Sequence, residues 1–235
     1  MMRIAIMQPY FMPYIGYFQL MDLVDEFVVY DNAKYTKRGW FNRNRILVNG
    51  SDAQITLPLR KDSDHLHVKD RYLADSWESE RKTILNRIHG AYGKAPHFDE
   101  SYGVVERVVG HDDRNLFNFL HNSLLVTKDY LGITTPLVVS STIQADHELK
   151  AEDRVVSICA ARCAKSYINP IGGLELYCKE RFENDGIGLS FIKTDDVRYR
   201  QFGQEFVPSL SIIDVMMFNS KENIREMLEK KFNLI

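Results

Sequence analysis

Cationic, aromatic and amide side chains are interleaved in one segment near the N-terminus, which suits binding of an anionic, ring-containing ligand. Five cations fall in this segment of a chain whose formal net charge is −2. Arginine grips phosphate or carboxylate with two parallel hydrogen bonds, and Trp or Tyr stacks on a sugar or base. A solvated basic loop is the alternative, but the embedded rings favour a binding role. The segment contains Lys34, Tyr35, Lys37, Arg38, Trp40, Phe41, Asn42, Arg43, Asn44 and Arg45.

The loop QPYFMPYIG, from Gln8 to Gly16, is the second candidate. It follows an apolar run at Arg3–Met7 that predicts a buried strand, and it leads into a stretch that predicts a helix. Ligands bind at the carboxyl ends of strands in open α/β sheets, so this loop is well placed for a site. Its rings could instead pack beneath the helix, and both interpretations stay open. The candidate residues are Gln8, Tyr10, Tyr14, Gly16 and Tyr17.

A third set of candidates lies in the second half of the chain. Gly172 and Gly173 follow a predicted strand and indicate either a close approach to a ligand or a turn. Tyr199, Gln201 and Ser211 belong to a segment before an apolar helix, for which Ser209 or Ser211 is the expected N-cap.

Two carboxylates are candidates for proton transfer. Asp31 follows the second predicted strand. Asp214 lies inside an apolar helix, so it is either a buried polar partner or a carboxylate of the site.

Residues that often bind metals or form covalent intermediates show no matching spacing. His65 and His67 alternate as two ligands on a strand would, but no third ligand is evident. The three cysteines, with Cys159 and Cys163 one helical turn apart, are expected to be buried thiols. No Ser-His-Asp or Cys-His arrangement is apparent, so neither a metal site nor a covalent acyl-enzyme is expected.

The elements that must position these residues follow from hydrophobic periodicity and turn signals. Asn49-Gly50 is a strong hairpin signal between two of the strands. Asp112 or Asp113 is expected to cap the helix at 115–131, and Ser220 the last helix. Strands are predicted at 3–7, 26–30, 46–48, 53–58, 136–140, 167–169 and 187–192. Helices are predicted at 77–92, 102–109, 115–131 and 153–164. Further helices are predicted to begin at 16, to end at 184, to end at 218 and to begin at 220.

The order of these elements predicts an α/β fold with a mostly parallel, Rossmann-like sheet covered by helices. The first two strands and the helix between them form a crossover, which is nearly always right-handed and parallel. Residues 1–235 are expected to form a single domain in which residues 74–132 are a mainly helical insertion.

Composition narrows the class of protein. The sequence is 45% hydrophobic and 26% charged, as is usual for a folded globular chain. The net charge indicates no general attraction to nucleic acid, and no apolar run is long enough to span a bilayer. The N-terminus lacks the features of a signal peptide, so a cytoplasmic location is expected.

Three long segments in this order, QPYFMPYIGYF, YDNAKYTKRGWFNRNRI and YRQFGQEFVPSLSIIDVMMFN, resemble the WbqC-like protein family. The match covers nearly the whole chain. Tyr14 stands where the family usually has Trp, and Gly172-Gly173 matches its glycine-rich strand end. Family members occur among bacterial genes for O-antigen and other surface polysaccharides, and a glycine transferase activity has been suggested for them. The resemblance therefore implies a role in surface-glycan biosynthesis.

The specific implication is transfer of an aminoacyl (glycyl) or related acyl group to a nucleotide-linked amino sugar. Asp31 or Asp214 would take the proton that the attacking ammonium must lose. The donor, the acceptor and any cofactor stay open, and no metal is expected for this reaction. The other implied residues are Arg38, Arg43 and Arg45 for the diphosphate, Tyr10, Tyr14 and Trp40 for sugar or base, and Gln8 and Asn44 as polar donors.

Two other functions are compatible with the sequence. The N-terminal strand–loop–helix unit resembles the nucleotide-binding loop of nucleotidylyltransferases and pantothenate synthetases, with Tyr14 or Gly16 and Tyr17 where those enzymes have histidines. That likeness favours a phosphate-bearing ligand and allows nucleotidyl transfer or ATP-dependent activation, with Mg²⁺ held by Asp31. The third function is that of a non-catalytic binding or scaffold protein for glycan assembly.

Overall fold

Apolar runs form strands close to the positions that the sequence predicts. The computed structural model describes residues 1–203 and 205–235. The strands are β1 (Arg3–Met7), β2 (Glu26–Val29), β3 (Arg43–Val48), β4 (Ser51–Thr56), β5 (Leu137–Val139), β6 (Ser166–Pro170), β7 (Gly188–Thr194) and β8 (Phe232–Leu234).

Helices cover the strands. Short 3-10 helices occupy Val68–Asp70, Ser140–Thr142 and Ile171–Leu176. The α-helices are α1 (Ile15–Leu23), α2 (Trp77–Tyr92), α3 (Phe98–Val109), α4 (Leu116–Tyr130), α5 (Ala151–Ala161), α6 (Lys179–Glu183), α7 (Ile212–Phe218) and α8 (Lys221–Lys230). Among the described residues, no helix is both long and apolar enough to cross a membrane.

The main sheet confirms the predicted α/β class. In the described part of the chain its strand order is β5-β2-β1-β6-β7-β8, and every pairing is parallel except that of β7 with β8. The chain runs outward from β1 through β2 to β5 and then crosses to β6 on the other side of β1. The carboxyl ends of β1 and β6 therefore flank the topological switch point, where open α/β sheets bind ligands.

Alternation along the central strands divides the core between the two faces of the sheet. Ala5 belongs to a large cluster with α1, α2, α3, α4, α7, α8 and the β3–β4 hairpin. Ile4 and Ile6 point to the other face, where α5 and α6 supply the apolar cover. Burying both faces explains why these strands are almost uniformly apolar.

The β3–β4 hairpin is a separate two-stranded sheet, and its turn is the predicted one. Asn49 and Gly50 both have positive φ, 51° and 78°, as a two-residue hairpin turn requires. Strand β3 begins at Arg43 rather than at the predicted position 46. Arg43 and Arg45, the last cations of the basic segment, therefore lie on a strand instead of in a loop. Arg43 is the β3 partner of Thr56 in β4.

Several boundaries differ from the predictions. Helix α3 starts at Phe98, four residues before the predicted start, and α4 is capped by Asn115, whose side chain accepts the Asn118 amide. Asp113 instead accepts the Asn115 amide. Ser211 and Ser220 are N-caps as predicted. Strand β8 was not predicted, because three residues at the chain end carry little periodicity.

The cysteines were only partly predicted. Cys159 is buried, and burial raises the pKa of its thiol to about 12. Cys163 and Cys178 are exposed rather than buried, since each lies at the end or start of a helix facing solvent.

A buried hydrogen-bond network around Asp214 joins the hairpin to the helices. Tyr92 Oη donates to Asp214 Oδ1 at 2.9 Å and accepts the Leu47 amide at 2.8 Å. Tyr199 Oη and Gln201 Nε2 donate to Asp214 Oδ2 at 2.6 and 2.7 Å. Burial raises the pKa of Asp214 in spite of these three donors. The carboxylate thus links α7 with α2, β3 and the segment before α7.

Asp214→Ala is expected to lower the free energy of unfolding by roughly 3–5 kcal/mol, because it leaves three buried donors without an acceptor. Urea denaturation followed by circular dichroism measures the change. The matched control is Asp112→Ala, whose carboxylate is 99% exposed, and it should change stability by less than about 0.5 kcal/mol. Equal midpoints for the two variants would contradict a stabilising network.

Candidate functional site

A cavity opens at the carboxyl edge of the main sheet, at the switch point. Its volume is about 480 Å³, within the range of small-molecule sites. Met7 at the end of β1, Pro170 at the end of β6 and Thr194 at the end of β7 contribute to its wall. The fold therefore brings three strand ends together at one concave surface.

The loop after β1 supplies the aromatic side of the cavity. Tyr10, Tyr14 and Tyr17 line it. Tyr10 packs against Tyr17 and Phe41 with ring centroids 5.9 and 5.7 Å away. The rings thus pack against the core and also line the cavity, which is compatible with both interpretations of the loop.

Glycine at position 16 keeps one corner of the cavity open. Gly16 is the second residue of α1, and a Cβ there would lie 2.5 Å from Thr194 Oγ1 and 3.3 Å from the Tyr14 ring. Both neighbours also line the cavity. Any other residue at this position would compete with the Thr194 hydroxyl for space.

Met12 fixes the course of the aromatic loop. Its φ is +43°, which is uncommon for a residue with a side chain. The Met12 carbonyl accepts hydrogen bonds from Ser211 Oγ at 2.7 Å and from Asn44 Nδ2 at 2.8 Å. Asn44 Nδ2 also donates to the Phe11 carbonyl at 2.9 Å. Side chains from β3 and from the N-terminus of α7 therefore hold the loop in this conformation.

Main-chain hydrogen bonds complete the same junction. The Ile212 amide donates to the Pro13 carbonyl at 3.0 Å, and the Ser211 amide donates to the Arg45 carbonyl at 2.9 Å. The Arg45 amide donates to Asn44 Oδ1 at 2.8 Å. All the hydrogen-bonding atoms of the Asn44 side chain are thus engaged by the protein itself, although the residue also lines the cavity.

Trp40 and Arg45 also line the cavity, and Arg43 lies beside the Trp40 ring. Trp40 stays 40% exposed. The guanidinium carbons of Arg43 and Arg45 lie 5.5 and 5.8 Å from its ring centroid, within cation–π distance. Arg45 lines the cavity and donates to Asp52 at 3.3 Å and to the Ser209 carbonyl at 3.1 Å. Arg43 is turned away, toward the carbonyls of Gly39 and Arg38.

Gln8 and Tyr10 form a polar pair beside the aromatic wall. Tyr10 Oη donates to Gln8 Oε1 at 3.2 Å, and Tyr17 Oη donates to the Gln8 carbonyl at 3.0 Å. Burial raises the pKa of Tyr10 and of Tyr17, so both hydroxyls are neutral hydrogen-bonding groups at neutral pH. The pair is suited to holding a hydroxyl or amide of a ligand.

The structure brings together some of the residues that the sequence singles out. The residues that line the cavity are Tyr10, Tyr14, Gly16, Tyr17, Trp40, Asn44 and Arg45. Gln8 contacts Tyr10, Ser211 contacts Met12 and Arg43 contacts Trp40, so these three support the wall. The residues that lie outside the lining are Asp31, Tyr35, Lys37, Arg38, Asn42, Gly172, Gly173, Tyr199, Gln201 and Asp214.

Asp31 lies beyond β2, in contact with the segment after β5. Its Oδ1 accepts hydrogen bonds from Ser140 Oγ at 2.8 Å and from the Ser141 amide at 3.0 Å. Burial raises the pKa of Asp31, but the hydrogen bonds from Ser141 and Ser140 outweigh it, so the pKa is lowered overall. The carboxylate is held ionised and does not line the cavity.

Other members of the basic segment bind within the protein. Tyr35 Oη donates to Asn42 Oδ1 at 3.0 Å, and Asn42 Nδ2 donates to the Leu57 carbonyl at 2.8 Å. Lys37 pairs with Asp64 at 3.0 Å, and the side chain of Arg38 is exposed. The charge run is therefore dispersed, and Arg45 is its member in the cavity wall.

Gly172 and Gly173 form part of a 3-10 helix after β6. A Cβ on Gly173 would overlap Asn169 Nδ2, whereas Gly172 has open space around it. The preceding residues, Pro170 and Ile171, line the cavity instead. Glycine is needed at position 173 because the Asn169 side chain packs against it, so this residue does not indicate contact with a ligand.

Some lining residues were missed by the sequence reasoning. Lys193 and Thr194 directly follow a predicted strand, and the rule that sites lie at strand ends points to them. The apolar ones carry no such signal. The missed residues are Met7, Pro13, Pro170, Ile171, Ile192, Lys193, Thr194 and Ser209.

No group of three or more His, Cys, Asp or Glu side chains that could hold a metal ion occurs among the described residues. His67 Nδ1 lies 3.8 Å from Asp70 in an exposed pair, on the surface segment that also carries His65. The cavity wall contains hydroxyl, amide and cationic groups, which suit an anionic or polar organic ligand.

Comparison with known proteins places this chain in a family. Residues 8–226 match the WbqC-like protein family. The chain is also 30% identical over 223 residues to the uncharacterized protein Rv1507c of Mycobacterium tuberculosis (strain ATCC 25618 / H37Rv), covering 93% of this chain and 94% of the relative. No solved structure matches the chain. The matched region includes all three segments that meet at Met12, and the chain belongs to the WbqC-like protein family.

Proposed function

We propose that this protein is an enzyme of surface-glycan biosynthesis that binds a nucleotide-linked amino sugar and transfers an aminoacyl (glycyl) or related acyl group to it. The observation that carries the proposal is the cavity at the switch point, which aromatic rings and two cations line together. Rings stack on sugars and bases, and cations bind phosphate. Membership of the WbqC-like family supports the assignment to glycan biosynthesis.

Each part of the cavity has a role in this proposal. Arg45 and Lys193 bind the diphosphate, while Trp40 and Tyr14 pack against the sugar or base. The Tyr10 hydroxyl, hydrogen-bonded to Gln8, meets the sugar. Because the Met12 junction fixes the loop conformation, Tyr10 and Tyr14 are in place before the ligand arrives, which lowers the entropic cost of binding.

The transfer step forms one bond and breaks one. The sugar nitrogen bonds to the acyl carbon of the donor, and the bond from that carbon to the leaving group breaks, with its electron pair going to the leaving group. The nitrogen loses a proton, and the leaving group or solvent gains it. The product is an amide on the sugar.

A non-catalytic binding protein is the second candidate function. It is favoured by the lining, which among the described residues contains no Asp, Glu or His to act as a proton acceptor. Nucleotidyl transfer has less support, because Asp31, the residue that would hold Mg²⁺, binds Ser140 and Ser141 outside the lining.

Mass spectrometry of a UDP-amino sugar after incubation with the protein separates these functions. Glycine with ATP, glycyl-tRNA and a glycyl thioester cover the main chemical classes of donor. An acyl transferase adds the mass of one glycyl group in at least one mixture. A sugar nucleotide that binds but keeps its mass in every mixture would support the binding protein, and pyrophosphate release would support activation by ATP.

Arg45→Gln is expected to weaken binding of UDP-N-acetylglucosamine by roughly 10–100-fold, because one charge-assisted contact to phosphate contributes about 1.5–3 kcal/mol. Lys193→Gln should act in the same direction. Isothermal titration calorimetry measures the affinities. The matched control is Arg60→Gln, since Arg60 forms an exposed ion pair with Asp75 and does not line the cavity. Unchanged affinity in both cavity variants would show that Arg45 and Lys193 do not bind the ligand.

Gly16→Ala is expected to weaken binding of UDP-N-acetylglucosamine by about tenfold. The new Cβ would lie 2.5 Å from Thr194 Oγ1, so the Thr194 hydroxyl must rotate within the cavity. The unfolding midpoint should not fall, because alanine favours a helix by about 0.5–1 kcal/mol. Gly90→Ala in α2, where nothing lies within 4 Å of the new Cβ, is the control and should bind normally. Full affinity in Gly16→Ala would mean that the ligand does not occupy this corner.

A further inference from the structure

Charged groups are distributed unevenly around the cavity. Arg45 and Lys193 line it, and within the part of the chain that the structure describes no carboxylate or histidine does so. The remaining ionisable lining groups are Tyr10, Tyr14 and Tyr17. Burial raises the pKa of all three, so they are uncharged at neutral pH. The wall is therefore cationic and aromatic.

Carboxylates outside the wall already have partners. Asp52 on β4 pairs with Arg45 at 3.3 Å, and both side chains are partly exposed, so solvent screens this pair. Asp196, after β7, pairs with Arg198 at 2.6 Å. Asp31 and Asp214 are buried among their own hydrogen-bond donors. None of these carboxylates lines the cavity, although the charge of Asp196 is close enough to contribute to the raised pKa of Tyr14.

We propose that the cavity binds the acceptor amine in its neutral form, with the proton lost to water on binding rather than to a carboxylate. The inference rests on the proposed function, because it concerns the amine of the proposed acceptor. It assigns Arg45 and Lys193 a second role, that of selecting the protonation state of the ligand. It also makes Asp31 and Asp214 unnecessary as bases.

Three effects lower the pKa of an amine bound here. In the free sugar nucleotide the diphosphate stabilises the ammonium, and Arg45 and Lys193 cancel that negative charge when the ligand binds. Enclosure in the cavity removes water from the amine and disfavours its charged form, and the cation–π attraction of the rings offsets only part of this loss. Among the described residues, no lining carboxylate replaces the lost stabilisation. The neutral amine has a free lone pair, which then attacks the acyl carbon as described above.

The test compares two probes that differ in the amine. UDP-glucosamine has a free amine, whereas UDP-N-acetylglucosamine has an amide that does not titrate. Calorimetric affinities are measured from roughly pH 6 to pH 9, and their ratio removes effects common to both ligands. The affinity of UDP-glucosamine relative to the amide should fall by about tenfold for each pH unit below the amine pKa, because the neutral fraction falls by that factor.

Two variants and a measurement of proton release test whether the cavity wall causes the pH dependence of the affinity ratio. In Arg45→Gln the diphosphate charge is less completely cancelled, so the pH dependence of the ratio should become shallower. Arg60→Gln, whose charge lies outside the lining, should keep the full dependence. Titrations in two buffers of different ionisation enthalpy should show proton release on binding of UDP-glucosamine below its amine pKa and none for the amide.

The outcomes separate the inference from the proposed function. A ratio that does not change with pH, or one that favours the amine at low pH, would overturn the inference, while binding of the amide probe would leave the sugar-nucleotide site intact. Failure of both probes to bind at any pH would overturn the proposed function and the inference together. A ratio that rises with pH, with proton release, supports both.

Discussion

The carbonyl of Met12 is the point on which the cavity depends. It accepts hydrogen bonds from Asn44 of β3 and from Ser211 at the N-terminus of α7, and its residue has a positive φ. A side-chain-bearing residue holds such a conformation only where the surrounding structure enforces it. Tyr10 and Tyr14, on either side of Met12, line the cavity because this junction sets the course of the loop. One main-chain atom thus fixes the course of the loop that supplies Tyr10 and Tyr14 to the binding surface.

The outline of the fold could be predicted from local patterns. Apolar runs such as Arg3–Met7 carry their own periodicity, and Asn49-Gly50 its own turn preference, so strands, hairpin and α/β class follow from short windows. The location of the cavity also follows, because the strand-end rule needs only element order. Boundaries such as the start of α3 at Phe98 depend on packing that no window contains.

The roles of individual polar residues could not be predicted from local sequence patterns. Asn44 and Ser211 have the side chains of ligand-binding residues, yet both hydrogen-bond to the backbone of a loop far away in the chain. Asp214 meets Tyr92 from across 122 positions. The positions of the basic residues also depend on tertiary contacts, because Lys37 pairs with Asp64 whereas Arg45 lines the cavity. Partners of this kind are fixed by tertiary structure, so composition alone overstates the size of a site.

The junction at Met12 also has a consequence for how the protein is made. Ser211 lies 199 positions after Met12, so the bond between them closes nearly the whole chain. Contacts of such high sequence separation form late in folding, because their loop-closure entropy must be offset by structure already present. On the ribosome, β1 and its aromatic loop emerge long before their partners. The nascent chain can therefore build much of its sheet while its binding surface is still unformed, and ligand competence arrives with the last helices.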